Sequence, residues 1–255
     1  MLSGANCCSW TTPDILIKRN HRHPVFRGGV FFWIMGARHV ISSSAMSLDD
    51  DLATQNFKDY FIVLNALTFA SIRRIEPDFE YANIFPGEHY RILSGLVEVL
   101  QPKTLIDIGT YRGCSARVML DYGDVASNVH TFDLYDYSTF DWTVLKDNDF
   151  RSGRLKQHLV DLSCRETFDK YINLLQQADF IMLDGPKDDV FERTFLHLLK
   201  TVPFTSKQRW LFIDDIRFDN MQELWRSIQS PKLDLSSFGH FSGSGLVNIS
   251  EGLII

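Results

Sequence analysis

Five short β-rich runs in this sequence close on an acidic residue, and any chemistry it performs starts from that repetition. They are TLIDI (Thr104 to Ile108) with Asp107, VHTFD (Val129 to Asp133) with Asp133, HLVDL (His158 to Leu162) with Asp161, DFIMLD (Asp179 to Asp184) with Asp184, and WLFID (Trp210 to Asp214) with Asp214 and the adjoining Asp215. A carboxylate carried to a strand end is costly if buried, unless a cation, a hydroxyl or a metal compensates its lost hydration. A single such aspartate reads as the cap of the following helix or turn. Five of them read as a site.

The loop after the first run narrows the ligand. Asp107, Gly109 and Gly113 form a D-x-G-x-x-x-G pattern, in which Gly109 allows a tight turn and Gly113 lets the next helix start approach a ligand closely. Asp133 follows Gly113 by 20 residues, where a carboxylate can accept ribose hydroxyls, so the ligand contains a nucleoside. A dinucleotide loop needs G-x-G-x-x-G to reach a pyrophosphate. Here Thr110, Tyr111 and Arg112 stand between the glycines, so no phosphate is expected. The acidic Asp107 at the loop entrance suits a cofactor with ammonium and sulfonium charge, and S-adenosylmethionine meets both conditions.

The elements that must position these residues follow from periodicity. Apolar residues recur at helical spacing from Asn56 to Ile75 and again at Leu93, Leu96, Val97 and Leu100, giving two helices before the first strand. Between the strands run three further stripes: Phe168, Tyr171, Ile172 and Leu175; Phe191, Phe195, Leu198 and Leu199; Met221, Leu224, Trp225 and Ile228. Ser163 with Glu166 reads as a capping box that starts the first of these helices. Strands alternating with amphipathic helices imply right-handed crossovers, an α/β class and a doubly wound, mainly parallel sheet. Ligands then bind at the carboxyl edge, where the aspartates lie.

PGEHYRILSGLVEVL (Pro86 to Leu100), LIDIGTYRGCSA, HTFDLYD and VDLS (Val160 to Ser163) together resemble the class I S-adenosylmethionine-dependent methyltransferases, in particular the small-molecule O-methyltransferases acting on catechols, sugars and antibiotics. The resemblance spans Pro86 to Val247. It implies the Rossmann-like class I methyltransferase fold, with seven strands and an antiparallel last strand, and places SFGHFSGSGLVNI (Ser237 to Ile249) as the turn into that strand. It also implies cofactor contacts from Asp107, Gly109, Thr110, Tyr111, Gly113 and Ser115, from Asp133 and Leu134, from Asp161 and Leu162 on the adenine side, and from Asp184.

In metal-dependent relatives the positions matching Asp184, Asp214 and Asp215 hold Mg²⁺, and a lysine matching Lys187 acts as base. The chain departs from the usual motif at Gly185 and Pro186, and Lys187 could equally form a solvated salt bridge among Asp184, Asp188 and Asp189. His240 is a second base candidate, although a histidine in a Gly/Ser-rich turn is more often structural. Tyr111, Tyr135, Tyr137 and Trp142 either wall the pocket or pack ordinarily.

The bulk properties bound the rest. With 255 residues, 45% hydrophobic and 23% charged, the chain has ample core and excludes disordered or fibrous classes. A net charge of -6 is the wrong sign for binding nucleic acid. Cys7, Cys8, Cys114 and Cys164 form no C-x-x-C pair, and the apolar runs fall short of the ~20 residues that cross a bilayer, so a soluble, cytoplasmic protein is expected.

Residues 1–48 carry five basic side chains against Asp14 alone, +4, leaving -10 for 49–255 and the overall -6. They read as a poorly ordered extension ahead of a start at Met46, with a targeting segment as the alternative. The methyltransferase domain is 49–255, with helices over 49–100 and the α/β core over 101–255. A small hydroxylated molecule is the expected substrate, and a homodimer is an assembly the sequence allows. A metal-independent methyltransferase, a non-catalytic nucleoside-binding module on the same fold and, more remotely, a dehydrogenase complete the readings.

Overall fold

A computed structural model describes residues 63–68, 70, 87–203, 208–238 and 241–255 of the chain. Residues 1–48 and His240 lie outside them. The described elements run α1 (His89–Leu100), β1 (Thr104–Ile108), α2 (Cys114–Tyr122), β2 (Asn128–Asp133), α3 (Asp147–Arg151), β3 (Leu155–Leu159), α4 (Arg165–Gln177), β4 (Phe180–Leu183), α5 (Val190–Leu199), β5 (Trp210–Asp214), α6 (Asp219–Ser227), β6 (Lys232–Asp234) and β7 (Ser244–Asn248). The seven strands form one sheet in the order β3-β2-β1-β4-β5-β7-β6. β1 to β5 pair in parallel, and β7 runs antiparallel to both β5 and β6. This is the expected α/β fold class. Strand order reverses between β1 and β4, so the ligand crevice of such a sheet opens at their carboxyl ends.

Alternation along the strands builds two cores. Leu105, Val129, Leu155, Phe180, Met182, Phe212 and Leu246 point to one face, where Leu93, Leu96 and Val97 of α1 and Val118 and Met119 of α2 cover them. Ile106, Ile108, Phe132, Ile181, Leu183, Ile213 and Val247 point to the other, against Phe168 and Leu175 of α4, Phe195 and Leu199 of α5, and Leu224 and Trp225 of α6. β4 and β5 are buried at every residue, as central parallel strands with both faces covered must be.

Helix ends follow local chemistry. α1 stops where Gln101 turns left-handed (φ 49°) and its N–H bonds Val97 O, just before Pro102. α4 ends on the buried guanidinium of Arg209, which donates to Leu175 O at 2.7 Å and Ala178 O at 2.6 Å. Residues 63–68, also helical, pack through Val63 and Ala66 on α1. A Cβ on Gly95 would lie 2.2 Å from Ala66 O.

Two expectations change. The third strand is Leu155–Leu159, not His158 to Leu162. It is the edge strand of the sheet, and its alternation of Leu155, Gln157 and exposed Leu159 hides a weakly apolar face. The Ser163 capping box does not form. Cys164 is the helix N-cap and makes no side-chain cap, while the Ser163 hydroxyl and amide donate to Asp161 Oδ1 at 2.6 and 2.8 Å.

Candidate active site

The β1 loop is held by backbone crowding and a chain of hydroxyls. Gly109, at φ 105°, donates to Phe132 O, and a Cβ there would stand 2.0 Å from Asp184 O, so glycine lets β1 and β4 close together. Thr110 and Thr131 hydroxyls meet at 2.6 Å, and Thr131 donates to Asp107 Oδ2 at 2.7 Å. Asp107 is fully buried, and its Oδ1 has no hydrogen-bond partner. Burial pushes its carboxyl up to about 7. The hydroxyls of Ser115 and Thr131 pull it down, and the charges of Asp184 and Asp133 push it further up.

Gly113 is left-handed (φ 80°) at the start of α2, but the room above it is not a ligand's. A Cβ would meet Leu145 Cγ at 2.2 Å, so the expected close approach is made by the chain itself. Asp133 accepts the amides of Tyr111 at 2.7 Å and Tyr135 at 3.0 Å, one on each oxygen. A carboxylate has about four lone-pair sites, which leaves it capacity for ribose hydroxyls. Around it Tyr111, Leu134 and Tyr135 are exposed.

Arg112 lies over the rings of Trp142 and Tyr111, 4.1 and 4.9 Å from their centroids, and pairs with Asp141 at 2.8 Å. Tyr137 packs instead on Phe150 and donates to Asp147. Those residues, with Asp136, Gln157 and Leu159, line a cavity of about 350 Å³ at the edge strand that includes none of the aspartates singled out in the sequence.

At the ends of β4 and β5 the expected residues converge. The Lys187 ammonium is bonded to Asp184 Oδ1, lies 3.0 Å from Asp215 Oδ2 and 3.9 Å from Asp214 Oδ2. Burial alone would lower the lysine, yet the three carboxylates outweigh it and hold Lys187 well above the ordinary lysine range. In this arrangement Lys187 is a cation and not the free-amine base its position suggested. Asp214, almost fully buried, accepts Ser244 Oγ at 3.1 Å, and burial raises its carboxyl despite the nearby positive charge.

His89, at the start of α1, is a residue sequence reasoning missed. Its Nε2 lies 3.9 Å from Asp214 Oδ2, and His89, Asp184 and Asp214 each bring a ligand atom within 4.8 Å of the others. Asp215 reaches the group through Lys187 and is not a member of that trio.

The carboxylates therefore form one acidic cluster, with one exception. Asp107 feels Asp133 and Asp184, and Asp214 feels Asp184 and Asp215. Asp161 folds back on its own turn, two residues beyond the end of β3, and Leu162 is buried among Phe168 and its neighbours, leaving its backbone for any contact. Among the described residues, Lys187 (φ 62°), Asp189 (φ 67°), Asp215 (φ 58°) and Tyr111 (φ 43°) are four of the five non-glycines with positive φ, and all four sit in these strand-end loops. Strain of this kind concentrates where surrounding structure serves function.

No family model matches the sequence, and no curated protein matches it. Some solved structures are similar to it at low identity. A methyltransferase from Geobacter sulfurreducens is 16% identical with a TM-score of 0.47, over 73% of this chain and 88% of that one. The O-methyltransferase TomG from Streptomyces achromogenes, solved with SAM, is 12% identical with a TM-score of 0.41, over 78% and 98%. MycE from the mycinamycin pathway, solved with Mg and SAH, is 17% identical with a TM-score of 0.40, and the match covers 60% of this chain but only 36% of MycE.

Proposed function

We propose that this chain is an S-adenosylmethionine-dependent methyltransferase that methylates a hydroxyl group of a small molecule. The observation that carries the reading is the buried Asp107 carboxyl at the switch point, with Oδ1 lacking a partner, beside Asp133 and facing the Asp184–Lys187–Asp214 cluster. Asp107 would hold a cofactor amino group through its orphaned oxygen, Asp133 would accept ribose hydroxyls, and Leu134 with the exposed tyrosines would offer apolar surface to the base. A sulfonium is drawn into an acidic crevice where a phosphate would be repelled. The same field disfavours nucleic acid as acceptor.

Transfer forms one bond from the acceptor oxygen to the methyl carbon while the carbon–sulfur bond breaks, leaving a neutral thioether. The acceptor must be aligned and must lose its proton. In this reading the Lys187 ammonium would stabilise the developing oxyanion, and Asp184, which contacts it, would accept the proton. His240 is the other candidate for that role. The residues fit a divalent cation, since Lys187 already brings a positive charge to the point where carboxylates from two strands meet. Asp184 and Asp214, whose ligand atoms lie together with that of His89, would hold Mg²⁺, with Asp215 joining them only if Lys187 gives way, and the ion when bound would supply Lewis acidity toward the acceptor oxygen.

The test is calorimetric titration with S-adenosylmethionine and S-adenosylhomocysteine, followed by radiolabelled methyl transfer to a panel of hydroxylated compounds with Mg²⁺ or EDTA. Cofactor binding and a labelled product are expected. No heat with either ligand at millimolar concentration would reject the assignment.

A further inference from the structure

The loop Asp184–Asp189 is held from behind by a side chain that no motif singled out. Glu192, in the first turn of α5, is fully buried, and its Oε1 accepts the Lys187 amide at 2.8 Å. Its Oε2 is buried without a hydrogen-bond partner, so it is retained at a cost. Gly185 leaves it the space it needs. A Cβ there would lie 2.7 Å from Oε1 and 2.8 Å from the Phe191 ring. At the following peptide, Asn220 Nδ2 donates to Lys187 O at 3.4 Å. Lys187 is left-handed at φ 62°, a costly conformation for a residue with a side chain, which persists only when neighbours impose it.

We infer that Glu192 is a positioning residue, whose buried carboxylate pins the Lys187 backbone so that the ammonium is delivered to the aspartates at the ends of β4 and β5. The inference rests on the methyltransferase reading only for its catalytic consequence. The geometry stands on residues outside the cofactor loop. Asp188 and Asp189 do not share the task. Asp188 Oδ1 caps the amides of Val190 and Phe191, and Asp189 pairs with Arg193 one turn on. Remove Glu192 and the left-handed peptide loses its acceptor, the loop relaxes, and the lysine head leaves its partners.

The experiment is site-resolved acylation of lysines by mass spectrometry on the full chain, with Lys103 and Lys200 as internal references, together with methyl-transfer kinetics. Glu192→Met should raise the Lys187 labelling rate at least about tenfold with the references unchanged, and lower kcat about ten- to a hundredfold with little change in cofactor KM. Glu192→Gln keeps an acceptor oxygen and should restore both to within about threefold. In a Lys187→Met background, Glu192→Met should cost nothing further, because the two act through one group.

Gly185→Ala, which presses on Oε1, should release Lys187 in the same way and serves if Glu192→Met fails to fold. Unchanged protection of Lys187 in both Glu192→Met and Gly185→Ala, or an equal loss of kcat with and without Lys187, would overturn the positioning role. A wild-type chain that shows the labelling pattern but transfers no methyl group would sink the methyltransferase reading and leave the positioning role standing.

Discussion

Replacing Asp107 with asparagine should make the unliganded protein more stable at pH 8 while removing its affinity for the cofactor. Asp107 is fully buried and its carboxyl is pushed from 3.8 to about 7, a shift of about three pH units. The folded chain therefore holds this proton more tightly than the unfolded chain, and a cost appears as pH rises above the unfolded value and levels off above about 7. At about 1.4 kcal/mol per unit, the cost at pH 8 is of order 4 kcal/mol, and at pH 5 it falls to less than half of that. Asparagine keeps an acceptor for Thr131 and carries no charge to desolvate.

For a domain of this size about 1 kcal/mol moves Tm by 2–4 °C, so Asp107→Asn should melt roughly ten degrees higher at pH 8, with the gap closing toward pH 5. Calorimetry with S-adenosylhomocysteine should show affinity rising about tenfold from pH 6 to pH 8 in the wild type, as ionised Asp107 grows from about a tenth to nine tenths. The asparagine variant should show weak, pH-independent binding. A variant less stable than wild type by the same amount at both pH values, or an unaltered pH dependence of affinity, would refute the burial argument.

Two further outcomes test the scaffold. Arg209→Met should lower stability by about 2–5 kcal/mol in urea unfolding, because the carbonyls of Leu175 and Ala178 each lose the buried guanidinium donor, Leu175 O keeping only the Ala178 amide at 3.3 Å. His130 Nδ1 and His158 Nε2 lie 3.0 Å apart on β2 and β3, and burial first, then the charges of His158 and Lys156, hold His130 down at about 4. His130 thus folds neutral, and the stability of that form is lost as pH falls from about 6.5 toward 4, while burial also lowers His158. His130→Gln should flatten that part of the stability profile in chemical denaturation, whereas a profile identical to wild type would dismiss the pair as the cause.

Much of this was legible in the sequence because central parallel strands leave an unmistakable record. TLIDI and WLFID are buried almost without interruption, so their ends, and the aspartates on them, could be located to the residue. The edge strand could not. Leu155–Leu159 has one paired side and a half-exposed pattern, and the more apolar HLVDL that overlaps it drew the assignment three residues too far along. Gly113 was credited to a ligand because nothing local ties it to Leu145, which lies 32 positions away. His89 was invisible for the same reason, since its meeting with Asp214 depends on how α1 packs across the sheet. Glu192 did leave a signal. It lies on the same helical face as buried Phe195 and Leu196, where an acid has no business unless it holds something.

The choice of residues in the strand-end loops argues for function independently of the aspartates. Gly153 and Gly252 serve left-handed turns remote from the aspartates, while Gln101 takes that conformation at the end of α1. At 187 and 215 the chain accepts the steric penalty of a side chain in that region, although glycine would relieve it. Those two side chains meet each other, 3.0 Å apart, inside the acidic cluster. A turn selected for stability alone would have discarded both. The strained backbone and the buried carboxyls of Asp107 and Asp214 lower the stability of the free protein, and under the proposed function a cationic cofactor is the kind of ligand that would offset those terms.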